Sequence, residues 1–235
     1  MRLSCKLLAL LCACLALAAP ARAPAAAPAA DAKAARLLKE IDEAIAPVVR
    51  KMEAGDFEGA LRQCDRVAEA NGDPKVIAKL KVLRKSLPDF AKAWNEGMGH
   101  FAQGALEPAA APLLRALALF EDMDLDSDRL ESALKGRAVK ALVVKGRAAD
   151  SRQQFQASSR AYQDALRLDP SAKEALEGMV AVRERAREIY EQAYVSRGSD
   201  RPLAKKSFRL VVEMLPADDE LARRAQKRLE ELDGR

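Results

Sequence analysis

Ser158-Ser159-Arg160-Ala161-Tyr162-Gln163-Asp164-Ala165-Leu166-Arg167-Leu168-Asp169-Pro170 is the stretch on which the fold turns. A small residue, Ser158, is followed four positions later by bulky Tyr162, three later by Ala165, and five later by the helix terminator Pro170. Offsets of four and three put the first three on one helix face, where the small residue lets a neighbouring helix approach and the bulky one fills the next groove. The same order recurs as Ala60, Cys64, Val67, Gly72; as Ala110, Leu114, Leu117, Asp122; and as Ala204, Phe208, Val211, Pro216.

Around these copies, from Asp31 onward, Ala, Leu, Glu, Lys and Arg recur at helical spacing, and no alternating Val/Ile/Thr run is bounded by turn residues. The body is therefore predicted to be all-α. Stops such as Gly55-Asp56, Asn71-Gly72-Asp73-Pro74, Leu87-Pro88-Asp89, Gly104, Asp169-Pro170-Ser171 and Pro216 divide it into helices over 32–53, 57–70, 75–86, 89–103, 108–121, 128–149, 151–168, 171–196, 202–215 and 218–232. Short loops between them make antiparallel neighbours.

Composition narrows the chemistry. The 235 residues are 49% hydrophobic with 40 Lys+Arg against 35 Asp+Glu, the balance of a globular chain. Aromatics at 4% leave little from which to build a base-stacking platform, and a net charge of +5 does not call for a nucleic-acid partner. One His and four Cys remove most metal and triad chemistry.

The amino terminus reads as an export signal. Arg2 and Lys6 precede an apolar run from Leu7 to Ala19, too short to span a bilayer, and Ala16-Leu17-Ala18 offers small-x-small cleavage after Ala18. A second reading stays open beside it, because Leu11-Cys12-Ala13-Cys14 is like a lipobox in which Cys14 would carry a lipid; the continuing apolar run Leu15–Ala19 favours soluble export. Loss of 1–18 lowers the charge to +3 and leaves Cys64 as the only thiol, so no intramolecular disulfide forms. Residues 19–31 are rich in Ala and Pro and read as a disordered tether ahead of a helical domain over 32–235.

The repeated pattern resembles the second helix of a tetratricopeptide repeat. Gly55-Asp56-Phe57 matches the turn before that helix, Trp94 and Phe101 fall at large first-helix positions, and Gly146 and Phe155 fit the third copy, whose Tyr162 through Pro170 is the closest match. Small residues separated by 50, 48 and 46 positions exceed the family's 34. First helices are therefore longer, or an additional helix stands between Pro74 and Pro88. Ile189-Tyr190 through Asp218-Asp219-Glu220 also looks like a C-terminal segment of some bacterial members. The resemblance implies a right-handed α-α superhelix, a solenoid of antiparallel hairpins, and non-catalytic protein binding in the periplasm or at the outer membrane. Its lipid-anchored alternative is an assembly factor for a pilus- or secretin-type machine.

Sites of chemistry are sparse, and no enzyme, cofactor or metal is expected. Asp122-x-Asp124-x-Asp126-Ser127-Asp128 imitates a calcium loop, yet Ser127 replaces the turn Gly and Ala133 stands where the closing Glu belongs, so a helix cap fits better. Gly97-x-Gly99 follows no strand and reads as close helix packing, His100 as a helix residue, and Cys64 as a buried inert thiol. Residues 135–160 carry Lys135, Arg137, Lys140, Lys145, Arg147, Arg152 and Arg160 against Asp150 alone, a balance of +6, whereas 31–73 stand at −3. Lys140, Val143 and Arg147 share one helical stripe. In the resembled family first-helix stripes line the binding groove, which makes these three, with Asn95 on the preceding first helix, the expected contacts for a protein or an acidic peptide. Membrane contact is expected only through a lipid at Cys14, and the oligomeric state is not read from the sequence.

Overall fold

A computed structural model describes the backbone of residues 27–234 and the side chains of 36–234. The expected leader 1–18 with Cys14, and most of the expected tether, lie outside the described residues. Contacts divide the chain after Glu40. The first unit is described over its helical residues 27–40, where Arg36 and Glu40 form an ion pair of 3.4 Å. The second unit, from Ile41, holds the buried core.

The described residues form nine α-helices and no strands: α1 (Ala27–Glu53), α2 (Phe57–Ala70), α3 (Pro74–Ala102), α4 (Leu106–Met123), α5 (Asp128–Ser151), α6 (Phe155–Leu168), α7 (Lys173–Ser196), α8 (Arg201–Met214) and α9 (Glu220–Asp233). α1 begins five residues ahead of its expected start, so the end of the stretch expected as a tether is helical. Aspartates cap four of them: Asp56, Asp73, Asp200 and Asp219 accept from free N–H groups of the first turns of α2, α3, α8 and α9.

Two expectations are corrected. The helices expected over 75–86 and 89–103 are one, α3, which runs through Leu87-Pro88-Asp89. Pro88 removes one backbone bond, but its ring faces solvent while Leu87 and Phe90 beside it are fully buried, and that burial holds the helix across the break. The long spacing therefore comes from lengthened first helices. In α4 the expected Ala110 and Leu117 are buried, but the bulky place belongs to Leu113, which is fully buried with Ala109 and Ala116, and not to the half-buried Leu114; the seam is therefore centred one residue earlier. With that shift the small residues Ala60, Ala109, Ser158 and Ala204 are 49, 49 and 46 apart.

Glycines explain why this register repeats. A Cβ on Gly97 would lie 2.8 Å from Leu113 Cγ, and one on Gly146 would lie 2.6 Å from Tyr162 Cε1. Both glycines precede their bulky partner by sixteen positions, so first and second helix meet at the same height in α3/α4 and α5/α6. Tyr162 meets a second glycine as well, Gly178 of α7, and thereby joins three helices. Consecutive helices pack throughout this series, from α2 to α9. Beyond them α5 lies beside α7 and α6 beside α8, where the buried Ser159 hydroxyl donates to the Met214 carbonyl. In these two hairpins first helix adjoins first helix, and second helix adjoins second helix.

Gly97→Ala is expected to cost roughly 1–3 kcal/mol through overlap with Leu113, whereas Gly136→Ala, where a Cβ meets nothing, should gain about 0.5–1 kcal/mol of helix stability. Urea denaturation of the two variants checks the contrast; equal effects would remove the close approach of α3 and α4.

Candidate functional site

The first-helix layer holds most of the apolar surface left in water. From Ile41 onward, the large apolar side chains that stand exposed among the described residues are Val82 on α3, Leu176, Val180, Tyr194 and Val195 on α7, and Leu203 on the second helix α8. α7 carries most of them. α9 begins at Glu220; its cap Asp219 pairs with Arg183 at 3.3 Å, and Arg228 stands 5.3 Å from the ring centroid of Tyr194. α9 thus meets α7 at Arg183 and at Tyr194, while Tyr194 and Val195 remain 38% and 83% exposed. On the turns before Arg183, Leu176 and Val180, 46% and 59% exposed, share one solvent face of α7 with Lys173, Glu177, Ala181 and Glu184.

The carboxyl end of α7 is closed differently. Tyr194 stacks on Tyr190, and the Arg197 guanidinium lies 3.6 Å from the Tyr194 ring centroid. Tyr190 also meets Phe208 edge-on at 5.2 Å, and Arg201 donates to the Leu232 carbonyl. Cation–π stacking and these bonds tie α7, α8 and α9 together at this corner.

The four expected contacts are not brought together. Asn95 is exposed on α3. Lys140 leans back so that its ammonium is 5.6 Å from the ring centroid of Phe101, and Arg147 pairs with Glu174 of α7 at 3.4 Å. Val143 is only 2% exposed and belongs to the core, so it cannot touch a partner. Ala141, Leu142 and Val143 are consecutive and all buried, which means that α5 is enclosed around more than half its circumference at this height. A stripe drawn with offsets of three and four could not stay on an open side there.

Much of the basic segment is neutralised within the chain. Lys135 pairs with Glu131, and Arg137 donates to the Ala133 carbonyl at 2.9 Å. Arg152 grips Glu107 with two bonds of 2.6 and 3.0 Å, which tie the end of α5 to the start of α4. The Arg152 hydrogen bond holds the Glu107 carboxyl below its ordinary value, with Lys145 contributing. The partners Glu107 and Glu174 come from outside 135–160, so local charge counting overstates the free charge.

The remaining candidates find structural roles. Ser127 caps α5 by accepting from Leu130 N–H at 3.3 Å and donates to Glu53 at 2.8 Å. Asp124, with φ of 49°, ends α4, and its carboxylate takes the Lys79 ammonium at 2.9 Å. Gly97 allows α4 to approach, whereas a Cβ on Gly99 would meet nothing. His100 is half-buried on α3. Cys64 is 2% exposed, and burial pushes its thiol up to about 11, with the neighbouring Asp65 adding to the rise. Among the described residues no helix is long and apolar enough to cross a membrane.

No family model, curated protein or solved structure matches the chain.

Leu176 and Val180 were missed as surface residues, although a signal for them exists. They lie off the buried stripe Ala175, Val182, Ala186, Ala193 of their own helix. What the sequence does not state is how far α9 reaches along it.

Because only the thiolate reacts, and the Cys64 thiol is both enclosed and raised in pKa, Cys64, followed by peptide mapping, should resist iodoacetamide in the native protein at pH 8 and label fully in denaturant. Rapid native labelling at that pH would contradict the buried assignment.

Proposed function

We propose that this protein is a non-catalytic scaffold of the cell envelope that binds a partner protein or peptide through its first-helix layer. The observation that carries the reading is the concentration of exposed apolar side chains on first helices, above all Leu176 and Val180. Patches of this kind on an otherwise charged surface mark contact sites. The pairing of α5 with α7 and of α6 with α8 supports a tetratricopeptide-like solenoid of antiparallel hairpins, in which one layer offers itself to a partner. Asn95, Lys140 and Arg147 stand at the edge of that layer as polar contacts; Val143 is no longer among them.

Export rests on Arg2, Lys6 and the apolar run Leu7–Ala19. The second reading, a lipid-anchored assembly factor for an envelope machine, rests on Leu11-Cys12-Ala13-Cys14. Palmitate labelling that disappears in Cys14→Ser would select it.

A photoreactive amino acid at Val180 should cross-link a partner in envelope fractions of the source cell, while the same group at exposed Arg160 on the second helix α6 should not. Cross-linking from Arg160 alone would place binding on the other layer.

A further inference from the structure

The basic segment 135–160 is largely neutralised within the chain, but the first half of α3 is not. Residues 74–88 carry Lys75, Lys79, Lys81, Arg84 and Lys85 and no carboxylate. Lys79 pairs with Asp124 and Arg84 with Asp65, each at 2.9 Å. Lys75, Lys81 and Lys85 are exposed and have no ion-pair partner among the described residues. The carboxylates on either side along the chain are engaged as well: Asp73 accepts from the Lys75 backbone N–H at 2.8 Å as the helix cap, and Asp89 meets Arg115 at 3.8 Å.

A helix advances about 100° and 1.5 Å per residue. On that count Ala78, Val82 and Lys85 share one side of α3, with Lys81 at one edge and Lys75 at the other, within about 120° of arc and about 15 Å of length. Leu80, Leu83 and Leu87 are buried on the opposite side, so the strip faces solvent. Ala78 is exposed and Val82 is 45% exposed, and the three ammonium groups flank them.

We propose that this strip of α3 docks an acidic helical segment of a partner protein. Such a helix repeats its carboxylates every three or four positions, the spacing of Lys81 and Lys85, and sets one aliphatic side chain on Val82 while the lysine stems cover the contact. Three free ammonium groups fall below the roughly four to eight cations with which a polybasic segment holds an anionic membrane. Lysines with no aromatic ring among them offer a nucleic acid phosphate contacts but no platform for its bases. An acidic helix uses both parts of the strip, the charge and the valine.

The inference rests on first helices being the binding face and names the chemistry of what they bind. Fluorescence anisotropy of a labelled synthetic helical peptide, with Glu at every third or fourth position around a central Leu, reads binding to the full chain. The peptide is expected to bind at low salt and to be released as salt rises, because the charges are exposed. Its Gln counterpart should not bind. Lys81→Glu with Lys85→Glu should weaken binding roughly tenfold or more through like-charge opposition, and Val82→Ser should weaken it severalfold. Lys206→Glu with Arg209→Glu, which reverses two exposed cations on α8, should leave it unchanged. Circular dichroism checks that the variants stay helical, and Lys81→Gln with Lys85→Gln serves if the charge-reversed pair unfolds. No binding by the parent chain, equal losses from the α3 and α8 pairs, or capture by phosphatidylglycerol vesicles in place of the peptide would overturn the proposal. Partner cross-linking at Val180 that persists undiminished in the Lys81→Glu, Lys85→Glu protein would leave the binding layer standing and remove only the α3 strip.

Discussion

Tyr162 lies against Gly146 on one side and Gly178 on the other, and neither position has room for a Cβ. One second-helix side chain therefore fixes the approach of two first helices, α5 and α7, at a height set by side-chain size. Its ring is buried, and burial is the main reason its hydroxyl is pushed above the ordinary tyrosine value. The same construction stands one hairpin earlier with Leu113 on Gly97. The other two copies have no glycine at this offset: Val48 stands sixteen positions before Cys64, and Gln192 sixteen before Phe208.

Close approach on one side determines what is left open on another. α5 is hemmed in by its neighbours to the point that Ala141, Leu142 and Val143 are all buried. α7, by contrast, ends the series of long first helices, because α9 runs only from Glu220 to Asp233. The exposed face of α9 carries the charged side chains Glu220, Arg223, Lys227 and Glu231. It is fourteen residues long against twenty-four in α7, and Leu176 and Val180 of α7 stay exposed.

Helical content and the small-bulky-small seam are legible in the sequence, since Ala60, Cys64, Val67, Ser158, Tyr162, Ala165, Ala204, Phe208 and Val211 are all buried where the spacing places them. Spacing alone puts the second copy one residue late because Ala109 and Ala110 both satisfy the small position, and only the contact with Gly97 distinguishes Leu113 from Leu114. Pro88 reads as a stop because backbone chemistry is local, whereas the burial of Leu87 and Phe90 that carries α3 through it is not. The basic segment misleads for the same reason: Glu107 and Glu174 are remote in sequence from Arg152 and Arg147. Seams follow from spacing; which faces stay open depends on helix ends that spacing does not fix.

The most direct test of this account is a double-mutant cycle on Gly146 and Tyr162, read by urea denaturation. If the glycine exists to admit the ring, Gly146→Ala should cost roughly 1–3 kcal/mol with Tyr162 present. In a Tyr162→Leu background the cost should fall to near zero or reverse, because the added methyl improves helix propensity once the ring is gone. The two changes would then couple by about 1 kcal/mol or more. Additivity within about 0.5 kcal/mol would mean that helix approach is set elsewhere, and the account of the fold would fail with it.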